Sequence, residues 1–239
     1  KKHMRLFKKE FKPDRLYILK KNIQQKKGLY LTRDYEDIIN NKKNYKVIQE
    51  FIINTFLVNN RKITLRIYLL IIFKNNQVFS YIHKNGKCLY STKNYDKIND
   101  KINYNELITS DPTNINKNIY DLNPLTLVDL KEYLNKNGYN YNVLYKNIYK
   151  NIKLVMDAYN QVFYKKNTKT LGNCFQLFGL DYIFDNKLNV YLLEINKGPN
   201  MNAISKKDYK LKYNILEDVF DKINIIKKKN NNNNFILIK

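Results

Sequence analysis

The stretch from Phe175 to Asn200 constrains this chain more than any other part of it. Apolar residues alternate on either side of Asp185-Asn186-Lys187, the pattern of two half-buried strands joined by a tight turn. A two-residue loop at Lys187-Leu188 sets Asp181 directly across from Glu194, with Asn196 two residues on and on the same face. Carboxylates opposed at roughly 5 Å repel each other, and a cation between them relieves that cost. Two carboxylates and an amide oxygen, with no His or Cys close by, form a hard-cation set for which Mg²⁺ is the leading fit. A blander reading also suits these residues, because acidic side chains on the wet face of a hairpin are common. Alternation alone leaves both open, since a one-residue slip sends Asp181 to the other face.

At 239 residues the chain can bury a substantial core as one or two domains. It opens on Lys rather than Met, which leaves room for an upstream portion, and no apolar signal segment follows. The longest strongly apolar run, Ile67 to Phe73, is too short to span a bilayer and reads as a buried strand. Cys88 and Cys174 lack CxxC spacing, and the two histidines form no zinc pattern. Reduced thiols in a cytoplasmic protein are the expectation. The formal charge of +23 raises the possibility of a nucleic-acid partner. Its lysines are spread along the chain rather than gathered in an arm, and no reader motif accompanies them. An acidic polypeptide is served equally well by such a surface.

Short strands are expected at Arg15–Lys20 and from Gly28 to Leu31, joined by a polar basic loop, with another apolar stretch from Tyr45 to Asn54. Lys62 to Phe73 and Gln77 to His83 form a pair turning at Asn75-Asn76, and Asn85-Gly86 leads into Lys87–Tyr90. The region from 91 to 123 reads as loop. Thr126 and Asp129 make a capping box at a helix start. Leu144, Ile148, Ile152, Val155, Met156, Tyr159 and Val162 recur at helical spacing, as do Leu211, Ile215, Leu216, Val219, Phe220 and Ile223. Asn230–Asn234 reads as a disordered low-complexity tail. The sum is an α+β protein, with mainly antiparallel sheets and C-terminal helices.

In order, YILKKN with GLYL, VIQEFI, RKITLRIYLLI, HKNGKCLYSTKNY and FQLFGLDYIFDNKLNVYLLEINKGPN resemble the motifs of the tubulin–tyrosine ligase-like family, over roughly Leu16 to Ala203. The resemblance implies an ATP-grasp fold whose two α+β lobes grip ATP, with residues 1–54 in the N-lobe, 55–229 in the C-lobe and 230–239 as tail. It implies a ligase that joins a free amino acid to a carboxylate of an acidic protein tail, tubulin or similar, through an acyl phosphate. No membrane or specific nucleic acid is implied. On this resemblance Asp181, Glu194 and Asn196 hold Mg²⁺. Lys20 contacts the ATP phosphates, the loop through Lys26, Lys27 and Gly28 closes over them, and Gln49 to Ile52 form the inter-lobe connector, where backbone groups of Glu50, Phe51 and Ile52 hold the adenine edge. Lys62 and Arg66 complete the charge around the phosphates, Arg66 facing phosphate or the reacting carboxylate. Two positions depart from the family: Thr64 stands where it has Asp, and Leu89 where it has Arg. Lys87 or Lys93 lies close enough to supply the second charge. A catalytically degenerate relative that binds without turnover is the alternative.

Overall fold

The computed structural model describes residues 2–21, 28–95, 119–165, 172–228 and 232–238. Two antiparallel sheets organise them. The smaller has the strand order β2-β1-β3, from β1 (Tyr17–Lys20), β2 (Leu29–Thr32) and β3 (Val47–Glu50). Alternation along β1 decides what each face does. Tyr17 and Leu19 pack with Ile38 and the aromatic rings of Phe7 and Phe11, beneath helices α1 (Lys2–Glu10) and α2 (Tyr35–Asn41). Leu16 and Ile18 point the other way, into a cluster with Phe51, Tyr95 and Leu57, and Lys20 shares that face.

The larger sheet runs β10-β6-β5-β8-β9, with β4 (Leu57–Val58) and β7 (Lys87–Tyr90) also pairing with β5 (Arg61–Lys74). Its other members are β6 (Gln77–His83), β8 (Cys174–Phe184), β9 (Val190–Lys197) and β10 (Phe235–Leu237). The β5–β6 turn places Asn75 and Asn76 at φ of 51° and 61°, a left-handed pair that asparagine tolerates. Strand β5 is buried on both faces. Its odd residues, Ile63 to Ile71, form one core with α4 (Leu127–Lys136) and α5 (Tyr141–Lys165). Among its even residues, Tyr68 and Leu70 are covered by Leu211, Ile215 and Val219 of α6 (Lys206–Lys222). Lys62, Thr64 and Arg66 share that second face but lie outside the patch α6 covers. A short α3 (Ile119–Leu122) precedes the α4 capping box, of which both halves form: Thr126 accepts from the Asp129 amide and Asp129 from the Thr126 amide.

The chain's end departs from its expected character. Phe235 is 4 % exposed, and β10 pairs with β6 through Phe235↔His83 and Leu237↔Tyr81. Asn234 donates to Asp218 at 2.9 Å, and Asn233 donates to Asp221 at 2.7 Å. Asparagines that read as low complexity thus satisfy a buried carboxylate before an apolar edge strand. Asn230 and Asn231, together with residues 96–118 of the expected loop, lie outside the described residues. No helix among the described residues is long and apolar enough to cross a membrane.

Candidate active site

The β8–β9 hairpin places Asp181 opposite Glu194, though not by the expected route. The turn is wider than two residues: the Asp185 amide donates to the Asn189 carbonyl, and Leu188 takes φ of 62°. Near the turn the register is Phe184↔Val190 and Tyr182↔Leu192, and then it shifts by one before Asp181↔Glu194. Leu193 is the extra residue of a β-bulge. Were Leu193 paired with Asp181 in a regular ladder, Glu194 and Asn196 would sit on the α5 face with Leu180 and Tyr182. With it, both turn to the face of Asp181.

That face carries a row of four charges on four adjacent strands. Lys87 pairs with Arg66, Arg66 with Asp181, and Asp181 with Glu194. The Arg66 guanidinium grips Asp181 with two N–H donors, Nε to Oδ1 and Nη2 to Oδ2 at 2.9 Å. The Asn196 amide nitrogen donates to Glu194 at 2.9 Å and to Asp181 at 3.3 Å. Burial lifts the Asp181 carboxyl to about 6, with Glu194 adding to the rise and Arg66 opposing it. Gly179 explains the glycine of the motif. A Cβ there would lie 2.8 Å from both Arg66 Cδ and Pro199 Cβ, so only glycine lets Arg66 lie across β8 to its partner.

Beside this row are two lysines, Lys62 on the same face of β5 and Lys20 on β1. Lys62 is 6 % exposed, and among the described residues it has no carboxylate partner; its ammonium sits 4.6 Å from the centre of the Phe51 ring. Burial, helped by the charge of Lys20, lowers its pKa to about 8. Burial likewise lowers the half-buried Lys20, against the attraction of Glu194. The two sheets therefore bring Lys20, Lys62, Arg66, Asp181, Glu194 and Asn196 within electrostatic reach of one another. Two crowded cations, neither held in an ion pair among the described residues, make an anion-binding place.

The donor set fits Mg²⁺ of one kind only. No cluster of three or more His, Cys, Asp or Glu exists among the described residues, so an all-protein cage is ruled out there. Mg²⁺ bound by one or two carboxylates takes its remaining ligands from water and phosphate, and the nearby lysines suit phosphate. An oxygen ligand from Asn196 requires its amide turned end for end, since the nitrogen now lies toward the carboxylates.

The model of the Tubulin-tyrosine ligase family matches residues 1–233. This chain belongs to that family. Its two-sheet α+β architecture is the ATP-grasp fold that the family membership entails. Among similar proteins is "Probable tubulin polyglutamylase ttll-9" of Caenorhabditis elegans, 27 % identical over 93 % of this chain and 56 % of the relative. Two human proteins follow: "Probable tubulin polyglutamylase TTLL2" is 26 % identical over 82 % of this chain and 33 % of its own length. "Tubulin polyglutamylase TTLL6" is 25 % identical over 84 % and 24 %. The chain thus spans from about a quarter to just over half of these relatives.

Other expected site residues of this family member are placed less simply. Gln49 is half-buried on β3, and Glu50 forms an ion pair with Arg15. The Phe51 amide donates to the Leu16 carbonyl at 2.7 Å and is not free to hold a base, whereas the Ile52 amide has no partner among the described residues. Gly28 takes φ of +95° beside Lys21 and closes the β1–β2 loop, of which Lys26 and Lys27 lie outside the described residues. Leu89 shares the site face opposite Thr64. Lys87, two residues back, bonds to Asp208 at 2.7 Å, and Lys93 lies beyond the strand, exposed. Asp208 and Lys212 were not expected at all, because helical spacing marks them only as neighbours of core residues.

Proposed function

We propose that this chain is the catalytic part of an ATP-dependent ligase that adds an amino acid, glutamate by similarity to its relatives, to a side-chain or terminal carboxylate of an acidic tubulin tail. The observation that carries the reading is that the buried Lys62, with no ion pair among the described residues, feels the charge of Lys20, which in turn feels Glu194 of the Asp181–Glu194 pair. In the reaction the acceptor carboxylate oxygen attacks the γ-phosphorus of ATP and ADP leaves. The incoming amine then attacks the acyl carbon, loses a proton, and phosphate leaves with the pair of electrons. Both steps are accelerated by holding charge in place. Bound Mg²⁺ would neutralise phosphate oxygens from its seat on Asp181, Glu194 and Asn196. Lys20 and Lys62 bind the phosphates, Arg66 orients the acceptor carboxylate, and the Gln49–Ile52 segment of the 1–54 lobe takes the adenine edge. The 55–229 lobe supplies the metal side. The surplus of positive charge suits an acidic tail, and a ligase acting on tubulin tails works at microtubules in the cytoplasm.

The deciding experiment incubates the protein with tubulin, Mg-ATP and each labelled amino acid in turn. Incorporation of glutamate that disappears in Glu194→Gln supports the proposal. Nucleotide binding without incorporation of any amino acid supports the second reading, a relative without turnover. The positions that favour it are Leu89 and Thr64, a facing pair without charge on the site face.

A further inference from the structure

Lys87, Asp208 and Lys212 form a charge cluster at the positive end of the row of four. Lys87 Nζ donates to Asp208 Oδ2 at 2.7 Å, Lys212 Nζ to the same oxygen at 3.0 Å, and the Ile204 amide to it at 3.1 Å. The other oxygen, Oδ1, has no hydrogen-bond partner among the described residues, although Asp208 is 0 % exposed. Three donors on one carboxylate oxygen and none on its twin is a costly arrangement that asks for a missing donor. The ammoniums are under-used too. Of three N–H groups each, and among the described residues, Lys212 commits two, to Asp208 and the Asn202 carbonyl, and Lys87 commits one. Two cations around one anion leave a net positive charge.

The cluster adjoins the reaction site. Lys87 lies cross-strand from Arg66, roughly 5 Å away at Cα. Tyr68, on the same face, feels Arg66, Asp208 and Asp181 together. Lys212 also holds the segment that follows β9, whose Pro199 packs against Gly179.

We propose that Lys87, Asp208 and Lys212 seat the incoming α-amino acid, its carboxylate on the spare N–H donors of Lys87 and its ammonium on Asp208 Oδ1. The assignment rests on the ligase reading above. A metal ion is repelled by the two ammoniums, and a phosphate leaves Oδ1 unmet. A zwitterion with adjacent anionic and cationic groups satisfies both ends. The seat lies beside Arg66, so the amine is delivered to the carboxylate that Arg66 orients.

The test is equilibrium dialysis of labelled glycine, L-glutamate and L-tyrosine against the full chain, with Mg²⁺ and a non-hydrolysable ATP analogue present. At least one amino acid is expected to bind the wild type, and its α-methyl ester at least tenfold more weakly. Lys87→Met is expected to weaken the acid tenfold or more and to abolish its advantage over the ester. Asp208→Asn is expected to bind the amino acid and its N-acetyl derivative alike. Equal binding of acid and ester by the wild type overturns the proposal without any variant. So does a Lys87→Met protein that loses thermal stability alone, which would make the cluster a structural ion pair. Lys87-dependent amino-acid binding without analogue binding keeps this seat and overturns the nucleotide reading instead.

Discussion

Lys62 is the residue whose surroundings speak most plainly. Its proton is held less tightly than in the unfolded chain, where its pKa is near 10.5, so between about pH 8 and 10.5 the unfolded state binds more protons. Stability contributed at this position therefore rises with pH across that window, and a thermal-shift titration should show a Lys62→Met protein lacking the rise. The same substitution relieves an uncompensated buried cation and should stabilise the ligand-free chain. Nucleotide affinity should move the other way, falling by about 1.5–3 kcal/mol, or roughly 10- to 150-fold, because a charge-assisted phosphate contact is lost. Wild-type affinity should also weaken as pH rises through 8, measured by titration of an ATP analogue at pH 7 and 9. Gly179→Ala makes a sharper demand. The added methyl meets Arg66 and Pro199 at 2.8 Å, so the guanidinium must leave Asp181 or the strand must shift. We expect a loss of about 1–3 kcal/mol in chemical denaturation. Turnover should fall further than stability explains, and unchanged turnover would remove Arg66 from the catalytic arrangement.

Among the elements, the bulged strand β9 is where local pattern and three-dimensional position part company. Asp181 opposite Glu194 followed from assuming a two-residue turn and a regular ladder. The structure reaches the same pairing with a wider turn and one extra residue, two departures that cancel. Leu192-Leu193, two apolar neighbours that break alternation, was the available sign of the bulge. A deletion pair tests it. Without Leu193 the ladder becomes regular and Glu194 still faces Asp181, so Mg²⁺-dependent analogue binding should survive. Without Ile195, Asn196 turns to the opposite face and that binding should fall, with both proteins folded by circular dichroism. Other elements were legible because their signals are local: the Asn75-Asn76 turn, the Thr126–Asp129 box, the heptad-like stripe of α5. Asp208 was not, since its partner Lys87 lies 121 residues away and nothing in either neighbourhood marks the other. The C-terminal strand was missed for a related reason. A run of asparagines carries no period, and its order comes from Asp218, which is itself kept ionised far below the usual carboxylate range by His83, Lys228 and Asn234 against its burial.

For the whole molecule, that C-terminal strand closes the edge of the larger sheet and seals Phe235 against His83. Phe235→Ala should cost about 3 kcal/mol. A domain of this size shifts by roughly 2–4 °C per kcal/mol, so the melting temperature should drop by roughly 6–12 °C in calorimetry. Nucleotide affinity, set on the far side of β5, should stay the same; a matching loss of affinity would mean that the sheet edge and the site are coupled. Strand β5 itself has a further consequence, in the time order of synthesis. It can pair with β6 and β7 almost as soon as they are made, yet its other edge waits for β8, whose Asp181 lies 115 residues beyond Arg66. At about 5–20 residues per second, the interval between finishing β7 and finishing β8 is roughly 5–20 s. During it, a fourteen-residue strand made largely of Ile, Leu, Tyr and Phe offers an open, unpaired edge on the ribosome. The nascent chain is thus exposed to misassociation for about two-fifths of the time these 239 residues take to make, and its yield in cells should depend on holdase chaperones more than the stability of the finished fold suggests.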